Sequence, residues 1–379
     1  MTRILYFTRA YSSHDYRFVS SLVEAGYEVH YLRLVPVGQD TEDRPLPHQV
    51  NSISWSGGPE QLSGLELLRT IAQLKSILST VKPDIVHAGP VPTCTYLMAK
   101  AGARVLVAMS WGSDLLRDVV EQPALKIRAQ FALNHTTVLV GDCQAVQDKA
   151  QQLGFDPAHT VLFPWGIDLE VFAPGSSASL RKRMGWQNAF VLLSLRSWEP
   201  VYGVDVIVTG FARAVELLSA EQNEQPLRLI LLGSGSQAAR IHSILSAAEV
   251  QDYVLLGGQV PQAHLPEYYH AADLYLSASH SDGSSVSLME ALACGVPSLV
   301  SDIPGNQEWI TPGKQGWLFV DDDAEALAQG IVSAYRQRKQ LNPIRLNARK
   351  IAEARANWPD NFAKLLEAYQ LAIKLTQNE

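Results

Sequence analysis

Short apolar, β-branched runs alternate along this chain with longer stretches whose apolar residues recur at helical spacing. RILYFT at 3–8 reads as a buried strand, 15–26 as a helix ending at Gly26, and EVHYLRL at 28–34 as a second strand. From Leu62 to Val81 the apolar positions Leu62, Leu65, Ile71, Leu74, Ile77, Leu78 and Val81 keep a helical period. Pro83 and Asp84 end that helix, and DIVHA follows as a strand. Further strands are expected at 104–109, 136–140 and 160–163. Strands that alternate with helices form parallel sheets covered on both faces, so a first sheet occupies roughly residues 1–165. APGSSAS at 173–179 reads as a linker. The alternation then restarts, with strands at 189–195, 227–232, 252–256, 273–277 and 297–300. Helices are expected between them at 203–219, 236–248, 264–271 and from about 285. NWPDNFAKLLEAYQLAIKL closes the chain as a helix with Phe362, Leu365, Leu366, Tyr369 and Ile373 on one face. The pattern predicts an α/β protein of two doubly wound halves with a cleft between them.

Composition narrows the function classes. A length of 379 residues suits two to three domains, and 47% apolar with 18% charged residues gives no case for disorder. The net charge is −7. The first 175 residues carry 14 basic and 17 acidic side chains and the remainder 17 and 21, so neither half is basic. That argues against a nucleic-acid partner. Cys94, Cys143 and Cys294 lie far apart without CxxC spacing, which fits a reducing cytoplasm rather than a disulfide or zinc framework. The apolar run at the N-terminus is too short for a signal peptide, and no stretch approaches the ~18–20 residues of a membrane helix. There is no Asp-x-Asp pair suited to Mg²⁺, the histidines are scattered, and no metal site is expected.

In open α/β sheets ligands bind beyond the C-terminal strand ends, so the loops after strands carry the candidates. The most informative is ADLYLSASHSDGSSVSLMEALACGVPSLVSDIPGNQEWI at 272–310. Asp282 lies in its loop and Glu290 eight positions later in the following helix. Between them Gly283, Ser284, Ser285 and Val286 lead the helix N-terminus, whose amides form a ready anion site. Two ionised carboxylates beside it accept hydrogen bonds from sugar or ribose hydroxyls. A structural alternative stands beside this: Ser287-x-x-Glu290 is also a capping box, and Asp282–Gly283 an ordinary turn pair. Ser234 and Gly235, after the strand RLILLG, form a possible phosphate turn. Asp114 in MSWGSDLL follows another strand and doubles as a helix N-cap.

Asp282-x7-Glu290 followed by Ala291-Leu292-Ala293-Cys294-Gly295-Val296-Pro297 resembles the signature of retaining GT-B nucleotide-sugar glycosyltransferases of family 4. LPEYYHAADLYLSAS at 265–279, PGNQEWI at 304–310 and LFPWGIDLEVF at 162–172 resemble further segments of that family. The resemblance implies two Rossmann-like domains facing a central cleft: an acceptor-side domain at 1–170, a donor domain at 171–345, and helices at 346–379 crossing back to the first. By position, Glu290 matches the carboxylate on the donor ribose and Asp282 the acidic residue on the donor sugar. Gly283, Ser284, Ser285 and Val286 match the loop whose amides approach the diphosphate, with Ser234 and Gly235 as a second donor element. Arg196 matches the arginine that neutralises the leaving diphosphate. Asp114 is placed with Asp282 and Arg196 as a catalytic candidate on the acceptor side. Ser13 and His14 stand where the family often has a Gly-rich loop near the phosphates.

Two departures stand out. The first carboxylate is Asp, one methylene shorter than the usual Glu, and the family's lysine just before Gly203 is replaced by Tyr202, which stays among the donor-binding candidates with one hydroxyl donor and no charge. The implied activity is metal-independent transfer of a sugar from a nucleotide-diphospho-sugar to an acceptor hydroxyl, in glycan, polysaccharide or glycolipid synthesis. No cofactor is expected beyond the donor itself. The acceptor is a saccharide, a lipid-linked or a small molecule, and the setting is the cytoplasm, with peripheral association at the inner membrane face left open. The alternatives are a catalytically impaired sugar-nucleotide sensor or scaffold, and a GT-B epimerase. A phosphorylase lacks a candidate cofactor lysine, and no GxGxxG supports a nicotinamide enzyme.

Overall fold

Strand burial explains the architecture. A computed structural model describes residues 1–35, 42, 44–58, 63–176, 178–219 and 225–377. Leu62 and Ser177, on which the expected helix start and part of the linker rest, lie outside the described residues. Among the described residues thirteen strands form two all-parallel sheets. The first holds β1 (Arg3–Thr8), β2 (Glu28–Arg33), β3 (Asn51–Ser52), β4 (Ile85–Ala88), β5 (Leu106–Met109), β6 (Val138–Gly141) and β7 (Thr160–Leu162) in the order β3-β2-β1-β4-β5-β6-β7. The second holds β8 (Phe190–Ser194), β9 (Leu227–Leu232), β10 (Val254–Gly258), β11 (Leu274–Ser277), β12 (Ser298–Ser301) and β13 (Gly316–Phe319) in the order β10-β9-β8-β11-β12-β13. Every residue of β4, β5, β6, β8, β11 and β12 is buried. Helices on both faces of a parallel sheet produce that pattern, and these strands read as continuous apolar runs for the same reason.

Contacts divide the chain into two units. One comprises Met1–Trp165 together with the chain from Pro359 on, and the other Gly166–Trp358. Leu5, Phe7, Val86, Leu106 and Leu139 centre the first core. Leu192, Leu229, Leu276, Phe211 and Ile331 centre the second. Of the C-terminal residues, the helix Asn342–Arg355 belongs to the second unit, and the helix Trp358–Gln377 joins the first from Pro359. At the edge of the second unit the Ile167 N–H donates to the Ala356 carbonyl (2.7 Å), and the Trp358 N–H donates to the Ile167 carbonyl (3.0 Å).

Three features differ from the sequence reading. β3 is a two-residue exposed pairing, and β13 carries a glycine and two half-buried residues, so neither has the apolar run that marks the others. The last helix keeps Leu365 and Tyr369 inward as expected but differs at the other positions. Asn361, Leu365, Ala368, Tyr369 and Ala372 are buried, whereas Phe362, Leu366 and Ile373 are only partly covered. Small alanines let the helix approach the sheet closely, which a pattern weighted to large apolar side chains misses.

Candidate functional site

In each sheet the strand order reverses direction at one point, and open α/β sheets bind their ligands beyond the strand ends at such a point. In the second sheet β8 pairs with β9 on one side and β11 on the other. Arg196 lies two residues past the end of β8 and Asp282 five past the end of β11. Their side chains meet: Arg196 Nη2 donates to Asp282 Oδ2 at 2.7 Å. Arg196 Nη1 donates to Ser285 Oγ at 2.8 Å and to Ser287 Oγ at 3.2 Å. The guanidinium carbon lies 4.2 Å from the centre of the Tyr202 ring. Arg196 Nε is buried and has no hydrogen-bond partner.

This pair sets its own electrostatics. Burial pushes the Asp282 carboxyl above its ordinary value, while the Arg196 charge and hydrogen bonds from Gly283, Ser285 and Arg196 pull it down. Burial disfavours the Arg196 cation, but the Asp282 charge outweighs it and the guanidinium stays protonated, its pKa raised. A buried charge pair persists only where each partner's remaining donors and acceptors are met, and here three serine and backbone groups meet most of them.

The helix Val286–Ala293 starts at Ser285, with no side chain capping its first turn. The capping-box alternative for Glu290 is therefore absent. Glu290 is buried, and its Oε2 accepts the Tyr269 hydroxyl at 2.7 Å. That hydroxyl also reaches the Ser287 carbonyl at 3.1 Å. Ser287 is the hub beneath the loop, its hydroxyl 2.7 Å from Tyr275 Oη and 3.2 Å from Ser285 Oγ. Backbone packing holds the loop from behind: a Cβ at Gly305 would meet the carbonyl oxygens of Asp282 (2.5 Å) and Gly283. The sequence does not mark Tyr269 or Tyr275 as site residues, and it offers Ser287 only as a helix cap. Their signal was a polar atom on an otherwise apolar strand or helix, and such residues are as common in ordinary cores.

Gly233-Ser234-Gly235 packs on the loop that carries Arg196. Gly233 has φ of +96°, and a Cβ there would stand 2.6 Å from the Arg196 carbonyl oxygen. The Ser234 carbonyl accepts the Trp198 N–H (2.9 Å), and Ser234 Oγ accepts from Gln259 Nε2 (3.2 Å). Glu199 takes the Ser236 N–H at 2.9 Å and the Ser236 hydroxyl, which hold its carboxylate below the usual range. Ser234 and Gly235 thus lie against Ser197–Glu199, the residues that follow Arg196 in the loop after β8.

The first unit has its switch point at β1, which pairs with both β2 and β4. After β1, Ser12 caps the helix Ser13–Glu24 in a capping box with Asp15. Asp15 also takes the Tyr6 hydroxyl at 3.0 Å, and burial raises its pKa to about 6 against those hydrogen bonds. Ser13 is exposed at the first helical position, and the His14 ring lies 5.5 Å from that of Trp111. Trp111 also contacts Phe18 and Trp165, at 6.4 and 5.6 Å.

Asp114 is enclosed by its surroundings. Its Oδ1 accepts the Ser110 hydroxyl (2.7 Å) and the Trp111 N–H (2.9 Å), and its Oδ2 accepts the Val91 N–H (2.8 Å). It is 3% exposed, and burial raises its pKa to about 6. A carboxylate so engaged braces the loops after β4 and β5 together. It is not the N-cap that the sequence offers, since Ser113 occupies that place. Among the described residues no cluster of three His, Cys, Asp or Glu side chains could hold a metal. No helix among them is long and apolar enough to cross a membrane.

Comparison with known proteins follows the same division. Residues 177–351 match the family model for glycosyl transferases group 1, and residues 3–142 the model for glycosyl transferase 4-like domains. The D-inositol 3-phosphate glycosyltransferase of Thermobispora bispora is 31% identical over 224 residues, 57% of this chain and 51% of the relative. That of Geodermatophilus obscurus is 28% identical over 235 residues, 60% and 51%. The chain thus spans about half the length of the curated relatives it matches. Among solved structures, Anabaena Alr3699/HepE in complex with UDP superposes with a TM-score of 0.78 at 18% identity, over 97% of this chain and 100% of that one. Sucrose-phosphate synthase from Thermosynechococcus elongatus gives 0.78 at 18%, over 98% of each. The shared architecture is the GT-B fold.

Proposed function

Because the chain belongs to the GT-B glycosyltransferases, with a group 1 module and a 4-like module in sequence, we propose that it transfers a sugar from a nucleotide-diphospho-sugar to an acceptor hydroxyl with retention at the anomeric carbon. The observation that carries this reading is the Arg196–Asp282 pair at the switch point of the second sheet, 2.7 Å apart beside the start of a helix. In it, Glu290 accepts the ribose hydroxyls, oriented by Tyr269. Asp282 accepts hydroxyls of the donor sugar, and Arg196 meets the charge that develops on the departing diphosphate. The amides of Gly283, Ser284, Ser285 and Val286 add helix N-terminal dipoles at the same place, and Ser234 and Gly235 flank the phosphates. Preorganised donors of this kind are the largest catalytic contribution in many enzymes. They do here what a divalent cation does in metal-dependent transferases.

In the proposed step the bond from the anomeric carbon to the diphosphate oxygen breaks and the bond to the acceptor oxygen forms on the same face. The acceptor proton passes to the departing phosphate oxygen, so no side chain is assigned as general base. On the first unit, Ser13 and His14 are the acceptor-side candidates. Asp114 acts only by fixing the loops after β4 and β5. Cys94, Cys143 and Cys294 are buried thiols outside any disulfide, which supports a cytoplasmic setting.

HepE was solved with UDP-glucose, so UDP-sugars are the first donors to test, with GDP- and ADP-sugars beside them. Inositol phosphate, after the names of the curated relatives, and simple sugars serve as first acceptors. We expect turnover with one nucleotide class and an NMR spectrum in which the product keeps the donor's anomeric configuration. Inversion would sink the mechanism, and binding without turnover on any acceptor would favour a sensor.

A further inference from the structure

Tyr202 occupies the position of the lysine that Arg196 would otherwise have beside it, and the surroundings show what a ring does there. The turn Pro200–Tyr202 is pinned on both sides. Gly203 follows it at φ +55°, where a Cβ would strike the Ala278 carbonyl at the exit of β11. The Tyr202 N–H donates to the Glu199 carbonyl at 2.9 Å, and the Val201 carbonyl accepts the His280 N–H at 2.9 Å. The ring is half-buried, packed against the core of the second unit, with its face 4.2 Å from the Arg196 guanidinium carbon. The edges of that guanidinium are tied to Asp282, Ser285 and Ser287. Stacking thus covers one face of a cation whose rim is already fixed, while Nε remains a buried donor without a partner.

We infer that Tyr202 is a positioning residue: its ring, and not its hydroxyl, holds Arg196 in the orientation that receives the diphosphate of the donor. A second ammonium at this position would add charge for the phosphates and repel Arg196. An aromatic face instead attracts the guanidinium through its quadrupole and restricts its rotamers without adding charge. The donor site then works with Arg196 held in advance in place of a cation pair. This inference rests on the donor-site reading above.

The test is UDP affinity of the full chain by calorimetry, for wild type and for Tyr202→Phe, Tyr202→Leu and Tyr202→Ala, with thermal unfolding to confirm that each variant is folded. Tyr202→Phe keeps the stack and is expected to bind within about twofold of wild type. Tyr202→Leu fills the same space without a π face, and both it and Tyr202→Ala are expected to bind about tenfold more weakly. If Tyr202→Ala does not fold, the Phe–Leu comparison alone decides. Loss in Tyr202→Phe as large as in Tyr202→Leu would assign the role to the hydroxyl and overturn the inference. Equal affinity in wild type and all folded variants would overturn it while leaving the donor site intact. Failure of wild type to bind UDP, GDP and ADP alike would remove the donor site itself, and this inference with it.

Discussion

At the scale of single residues, the two carboxylates of the loop and helix after β11 have different neighbours and should fail differently. The Glu290 carboxylate accepts the Tyr269 hydroxyl, which also reaches the Ser287 carbonyl. Asp282 is bound to Arg196 directly. Glu290→Gln is therefore expected to weaken UDP binding by about tenfold or more, the worth of a hydrogen bond to a charged group. Asp282→Asn should leave UDP affinity within about threefold and lower kcat instead. Calorimetry and steady-state kinetics on the two variants separate these roles, and equal losses of affinity would count against them. The spacing Asp282-x7-Glu290 was legible because it lies within one short stretch. The engagement of Asp114 was not, because its partner Val91 is 23 residues away and contributes only a backbone N–H, which no side-chain pattern records. Tyr269 was hidden for a similar reason, 21 residues from the carboxylate it holds.

Elements place those residues. The two parallel, doubly wound sheets were foreseeable from the alternation of strands and helices, since a buried parallel strand announces itself by an unbroken apolar run. What the alternation cannot supply is strand order, and therefore which loops become neighbours. That the loops after β8 and β11 meet depends on β11 inserting beside β8, with β9 on the other side. Gly203 shows how tightly the two loops are fitted. It combines a left-handed backbone with direct apposition to the Ala278 carbonyl. Gly203→Ala should cost about 1–3 kcal/mol from backbone conformation alone, with the steric conflict added. Urea denaturation followed by the fluorescence of Trp198, buried in the same unit, measures it. A variant as stable as wild type would mean that the turn relaxes. Part of the last helix's buried face escapes the pattern for a complementary reason: Ala368 and Ala372 lie inward beside Leu365 and Tyr369, and small side chains carry little weight in a hydrophobicity pattern.

At the scale of the molecule, a net charge of −7 coexists with a proposed ligand that is itself an anion. Affinity then has to come from local placement of Arg196 and amides, a property that composition does not reveal. Three buried groups of the first unit also couple its stability to pH, in opposite senses. Asp15 and Asp114 have folded pKa values near 6, above those of the unfolded chain. Their contribution is most favourable below pH ~4 and is lost as pH rises through 6. His87 runs the other way. Burial lowers its pKa to about 3, so its contribution is full above pH ~6.5 and is lost as acid protonates the unfolded chain. His87→Phe should therefore be least stable relative to wild type near pH 7, and the difference should shrink on acidification towards pH 4. Thermal unfolding of both proteins across that range tests this, and a constant difference would refute the neutral buried histidine.

The His87 ring has one further consequence, for the order in which the protein is made. Its Nδ1 lies 2.5 Å from the hydroxyl of Tyr369, a partner 282 residues further along the chain. Synthesis at roughly 5–20 residues per second leaves the first unit without its closing helix for some tens of seconds. The whole of Gly166–Trp358 emerges in the meantime. The second unit is one uninterrupted stretch and can complete itself on the ribosome. The first, though it emerges earlier, is the last to be finished.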